Sequence, residues 1–227
     1  MTRSTSARVA APLAGVVEVW LVALAVPDPA YSVLVATLDQ EERRHADRMH
    51  VGGRDWAVTH GALRMILAGY LGLPAAALRF ARTAPGKPRL AGSAGLEFSL
   101  ARTDGLAVLA VASDRAVGVD VERENDRTDI EIVAREFLPP LDAAALELTT
   151  PEKRRSAFFA AWARHEARLK LHGQGLGGRS SEPALEPEKL VVVRALATRP
   201  GFAAAVAAEG GSWTVQIRDF PLPGIGA

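Results

Sequence analysis

Val117-Gly118-Val119-Asp120-Val121-Glu122 alternates apolar residues with two carboxylates. Side chains two apart on a strand point the same way, so the stretch reads as a strand with Asp120 and Glu122 on one face. Two acidic groups held that close repel unless a proton or a cation sits between them. Hard oxygen donors of this kind suit Mg²⁺ better than a soft metal. Taken alone, the pair reads equally well as the solvated face of a strand beside a turn.

A second stretch bears on the choice. Phe158 to Lys170 lies in a run free of Gly and Pro from Glu152 to His172, which predicts a helix. Trp162, Glu166 and Lys170 fall on one stripe of it. A surface ion pair is the simplest reading of Glu166 and Lys170 at that spacing. The tryptophan on the same face argues that the stripe is partly covered.

Gly118-Val119-Asp120-Val121-Glu122 followed by Trp162-Ala163-Arg164-His165-Glu166-Ala167-Arg168-Leu169-Lys170 resembles the 4′-phosphopantetheinyl transferases in their longer form, made of two similar halves. That family shows Gly-(Val/Ile)-Asp-(Val/Ile)-Glu and then Trp-x-x-Lys-Glu-(Ala/Ser)-x-x-Lys. Arg82-Thr83-Ala84-Pro85-Gly86-Lys87-Pro88 is similar to the family's loop before Gly-Lys-Pro, and Gly173 to Leu176 to the Gly-rich exit of its long helix. Three ordered matches are a far stronger signal than any one of them.

The resemblance implies an α/β (α+β) fold of two similar subdomains related by a pseudo-twofold, each a small, mainly antiparallel sheet packed on helices. The division falls at residues 1–111 and 112–227, with the acidic motif in the second half. It also implies a reaction: Mg²⁺-dependent transfer of 4′-phosphopantetheine from coenzyme A to a serine of an acyl or peptidyl carrier protein, as in secondary metabolite biosynthesis. Asp120, Glu122 and Glu166 would hold Mg²⁺. Arg54, Arg82, Thr83, Lys87, Arg102 and Lys170 would hold the anions of coenzyme A. Glu166, Lys170 and His165 would stand at the chemistry, Glu166 as base or only as metal ligand.

Two departures qualify this. His165 stands where the family has lysine, and Ser99-Leu100-Ala101-Arg102-Thr103 stands where it commonly has Asn-(Leu/Ile)-Ser-His-Ser. Ala101 offers no side-chain hydrogen bond, whereas Arg102 supplies a positive fork. A second reading therefore stays open: a divergent scaffold without transfer activity, repurposed as a binding module or for another reaction.

Composition bounds the rest. The 227 residues, 48% hydrophobic, suffice for one large domain or two halves. A net charge of +1, from 27 basic and 26 acidic residues, points to neither nucleic acid nor a membrane surface, so anion binding must be local. The absence of cysteine removes disulfides and thiolate chemistry and is compatible with a reducing cytoplasm. No zinc-ligand spacing, Gly-x-Ser-x-Gly elbow, P-loop or Gly-x-Gly-x-x-Gly is present.

In chain order, Thr2 to Pro12 reads as a loose tail. Val16 to Val26 reads as a strand, too short to span a bilayer and carrying Glu18, which also argues against a secretion signal. Asp39 caps a helix to Met49 with Glu41 and Glu42 in its first turn, and Arg54 to Leu71 is a second helix with Trp56, Leu63, Ile66, Leu67 and Tyr70 as its buried face. Strands follow at Leu78 to Ala81, Leu96 to Leu100 and Leu106 to Ala112. Short helices are expected at Ile130 to Phe137 and Leu141 to Leu148. After a loop from Gly173 to Pro187, Leu190 to Leu196, Phe202 to Ala207 and Trp213 to Ile217 read as strands of one closing sheet.

Overall fold

Alternation decides which side of each strand is covered, and for the two central strands of the first sheet both sides are. In the computed structural model, which describes residues 11–82, 87–92, 95–173 and 190–224 (Arg82 through its backbone alone), β1 (Val16–Ala23) turns Val17, Val19 and Leu21 one way and Trp20 and Val22 the other, all buried. β5 (Leu106–Ala112) is buried at every position. Two cores result. Trp20 and Val22 meet Leu109 and Val111 beneath α1 (Asp28–Ala36) and α3 (Gly53–Leu71). Val17, Val19 and Leu21 meet Leu106, Val108 and Ala110, together with Val117, Val119 and Val121 from a second sheet.

The first sheet has the order β4-β5-β1-β9, where β4 is Glu97–Thr103 and β9 is Thr214–Asp219. The second has the order β6-β8-β7, from β6 (Val117–Arg123), β7 (Val191–Ala195) and β8 (Phe202–Glu209), all antiparallel. β2 (Phe80–Arg82) and β3 (Pro88–Leu90) form a small antiparallel pair. α6 (Pro151–Leu171) covers the far face of the second sheet, with α4 (Ile130–Phe137) and α5 (Pro140–Glu147) beside it. The layers therefore run helices, sheet, sheet, helices. This is the α+β arrangement of small sheets packed on helices that the resemblance implies.

The C-terminal strand differs from the sequence reading. β9 does not close a sheet with β7 and β8; it crosses back to lie parallel to β1, Val16 opposite Thr214 and Leu21 opposite Asp219. A buried polar chain accompanies it: Trp20 Nε1 donates to Tyr70 Oη at 2.7 Å, Tyr70 Oη donates to Glu18 Oε2 at 2.6 Å, and Arg218 Nε of β9 lies 3.2 Å from that same oxygen. Helix α1 was also not read from the sequence. Its Pro27-Asp28-Pro29 start resembles a turn, yet proline suits the first helical turn, and Ala30 and Leu34 are fully buried.

Helix α2 (Gln40–Arg48) begins with the expected cap, Asp39 accepting from Glu42 N and Glu42 accepting from Asp39 N, both at 2.9 Å. The same carboxylates anchor Arg64, a residue the apolar pattern of α3 hides. Arg64 is 1% exposed and donates to Glu42 Oε2 at 2.7 Å, to Asp39 Oδ2 at 3.0 Å, and to the carbonyls of Ala75 and Leu78. Trp56, expected in the buried face, is half-buried and stacks on His60 with ring centroids 3.6 Å apart.

Helices α1 and α3 touch backbone to backbone at Gly61, where a Cβ would stand 2.7 Å from Leu34 O and 2.8 Å from Leu34 Cβ. Overpacking of this kind costs about 1–3 kcal/mol, against about 1 kcal/mol gained by alanine over glycine in a helix. Gly61→Ala is expected to lower stability by up to about 2 kcal/mol in urea unfolding, without a change in slope.

Candidate functional site

Small side chains set how deep the site lies. Ala163 and Ala167 of α6 and Ala205 and Ala207 of β8 are all fully buried against one another. Gly118 completes the contact: a Cβ there would stand 2.1 Å from Ala167 O and 2.3 Å from Leu171 N. The helix backbone thus rests directly on β6. Odd positions of β6 enter the core between the sheets, so Gly118, Asp120 and Glu122 all face α6.

The charged groups converge there. Lys170 Nζ donates to Asp120 Oδ1 at 2.6 Å. Glu166, one turn earlier, is 7% exposed, and Asp120 is 3% exposed. Trp162, one turn earlier again, gives Glu122 a hydrogen bond. The stripe read from the sequence is therefore a covered face, and the solvated reading of the acidic pair does not hold.

Burial pushes the Asp120 carboxyl above its ordinary range, against the pull of Lys170. Glu166 is raised by burial and then by the charge of Asp120. Glu122 is raised to about 7, first by burial and then by Asp120. Three carboxylates with one ammonium among them leave an excess of negative charge. Asp120 Oδ2 and Glu166 Oε1 are buried without a hydrogen-bond partner, a state polar atoms rarely occupy unless something else meets them. Among the described residues no three such side chains are already gathered into a metal cage. The unpartnered hard oxygens nevertheless fit a small divalent cation in donor type and charge.

A family model for the 4′-phosphopantetheinyl transferase superfamily matches residues 116–218, which contain this whole site. The 4′-phosphopantetheinyl transferase HetI of Nostoc sp. (strain PCC 7120 / SAG 25.82 / UTEX 2576) is 33% identical over 211 residues, 87% of this chain and 89% of that protein. The chain belongs to the 4′-phosphopantetheinyl transferase superfamily.

Lys87 lies at the Val117 end of β6, donating to Val117 O at 2.7 Å and Leu171 O at 3.4 Å, and burial lowers its pKa. Arg102 leaves β4 on the side away from β6 and donates to Gly52 O at 3.2 Å, near His60, whose imidazole burial holds down to about 4. Arg54 heads α3 as expected, but it donates to Val26 O and Asp28 Oδ1 and stacks over Tyr31. His165 is half-buried beside Trp162, and the charges acting on it are Arg168 and Asp142 rather than the acidic group. The side chain of Arg82, Thr83 and residues 174–176 lie outside the described residues. The structure thus unites Asp120, Glu122, Glu166 and Lys170, while Lys87, Arg102, Arg54 and His165 stand at separate places with the partners just named. Ser99, a polar group the sequence reading noted only as a departure, touches β6 from β4, as Thr103 does further along: Val119 N donates to its Oγ at 3.0 Å.

The carboxylates also shape stability. Because the folded pKa of Glu122, about 7, lies above its ordinary 4.5, the folded chain holds that proton more tightly than the unfolded one. The stability this confers is present below pH 4.5 and lost as pH rises through about 7. His60 works the other way, losing stability as pH falls from 6.5 to about 4. Comparison of Glu122→Gln with wild type at each pH isolates Glu122. Without divalent metal the variant should melt higher above pH 7, and the difference should close below pH 4.5.

Proposed function

We propose that this chain transfers 4′-phosphopantetheine from coenzyme A to a serine of an acyl or peptidyl carrier protein, with Mg²⁺ held by Asp120 and Glu166 and with Glu122 beside them. The single observation that carries this reading is the pair of buried, unpartnered oxygens, Asp120 Oδ2 and Glu166 Oε1, in a superfamily member. When bound, the cation neutralises charge on the pyrophosphate that is broken.

The chain's own groups do the rest. Lys170, paired with Asp120, is positioned to turn from carboxylate to phosphate, a point charge on a flexible stem. Glu166, whose Oε1 is buried without a partner, is also assigned as acceptor of the serine proton. The leaving group is adenosine 3′,5′-bisphosphate, whose anions require cations; Arg54, Lys87 and Arg102, with Arg82, Thr83 and His165, are assigned to that end and to the mouth of the site.

The carrier protein is assigned to the face formed by α4 and α5. That face holds a cleft of about 370 Å³ lined by Ile130, Ala134, Leu138, Ala143 and Leu146 and exposes Phe137, Leu141 and Leu148 beside it. Exposed apolar groups of this kind are a usual mark of a docking surface. No helix among the described residues is long and apolar enough to cross a membrane.

Release of adenosine 3′,5′-bisphosphate from coenzyme A tests the reading. Release should require the apo carrier protein, stop on chelation of divalent metal and resume with added Mg²⁺. Release that is indifferent to chelation would remove the metal assignment, and none under any condition would leave a scaffold without transfer activity.

A further inference from the structure

β6 is an edge strand of its own sheet: β8 takes one side, and the other side faces β4 of the first sheet without a backbone ladder. Edge amides and carbonyls in so buried a place need partners. Side chains of the first half supply three of them. Lys87 Nζ donates to Val117 O at 2.7 Å, Val119 N donates to Ser99 Oγ at 3.0 Å, and Arg123 N donates to Thr103 Oγ1 at 3.2 Å. Between the two hydroxyls, Ala101 packs into the core that joins the sheets.

We propose that Ser99 is a positioning residue for the acidic group: its hydroxyl pins the Val119 N–H across the seam between the sheets and so fixes the height at which β6 presents Asp120 to Lys170 and Glu166. Three observations converge on Ser99. It is 5% exposed, so its bond is shielded from water. The amide it holds adjoins Asp120 directly. The seam, unlike the β6–β8 pairing, has no ladder to set its register, and register decides which side chains reach the site. Thr103 pins the other end, one residue past Glu122, in a more exposed setting.

This inference rests on the transfer reading for its kinetic consequence but not for its structural one, and the test separates the two. Ser99→Ala removes the acceptor and keeps the strand volume; Ser99→Thr keeps a hydroxyl. In Ser99→Ala, exchange of the Val119 amide should quicken at least about tenfold while β5 amides stay protected. Its kcat for carrier modification should fall about ten- to a hundredfold with KM for coenzyme A within about twofold, because the carboxylates are displaced rather than the nucleotide contacts. Ser99→Thr should recover both. Unchanged protection and kcat in Ser99→Ala would overturn the proposal. So would a loss that Ser99→Thr fails to recover, since a general packing defect would then explain it. Where wild type transfers nothing, the proposed function fails, and exchange alone decides: quickening confined to β6 supports the pin, and unchanged protection overturns it.

Discussion

Gly118→Ala should abolish most transfer while leaving a folded protein. The added Cβ meets Ala167 O and Leu171 N at 2.1 and 2.3 Å, both backbone atoms that no rotamer change can move aside. Helix α6 must lift from β6, carrying Glu166 and Lys170 away from Asp120. Misplacement of about 1 Å at a reacting centre costs about a hundredfold in rate, so kcat should fall by at least that much. Overpacking should lower stability by about 3 kcal/mol, read in urea unfolding. The Lys170–Asp120 contact, 2.6 Å in the wild type, should lengthen in a crystal structure of the variant. Transfer close to wild type would mean that the site tolerates a shift of α6, and the close backbone approach would then have only a packing role.

Asp120→Asn should separate function from stability. The substitution keeps shape and an acceptor for Lys170 but removes one negative charge from a buried, carboxylate-rich group. Loss of one group that stabilises developing charge costs about 10²–10³-fold in kcat, and a similar fall is expected here. Metal-free stability at neutral pH should hold or rise, because Glu122 and Glu166 are both pushed up in pKa by Asp120. Parallel loss of activity and stability would instead make Asp120 a structural partner of Lys170. Kinetics and thermal unfolding on one preparation decide between these.

Much of this was legible in the sequence for identifiable reasons. The period of two in Val117 to Glu122 gave the strand and its two faces, and an uninterrupted run gave α6. Asp39 and Glu42 announced a helix start because capping is local chemistry. What stayed hidden depends on distant partners. Arg64 looks like a surface residue until Asp39, Glu42 and two carbonyls surround it. Nothing within Thr214–Asp219 says that it pairs with β1 rather than β8, since both neighbours are equally apolar. Ser99 seemed a loss against the family pattern, and its bond to Val119 spans the seam between sheets. Arg102 reads as a positive fork on its strand, and alternation turns it to the side opposite Ser99 and Thr103.

Asp120, Glu122, Glu166 and Lys170 are proposed to form a phosphopantetheine-transfer site. Intact mass spectrometry of an apo carrier protein incubated with this protein, coenzyme A and Mg²⁺ tests it most directly. The carrier should gain the mass of one phosphopantetheine group, lose that gain when its acceptor serine is replaced by alanine, and gain nothing with the Glu166→Gln variant. A carrier of unchanged mass with folded wild-type protein, or equal modification by Glu166→Gln, would contradict it.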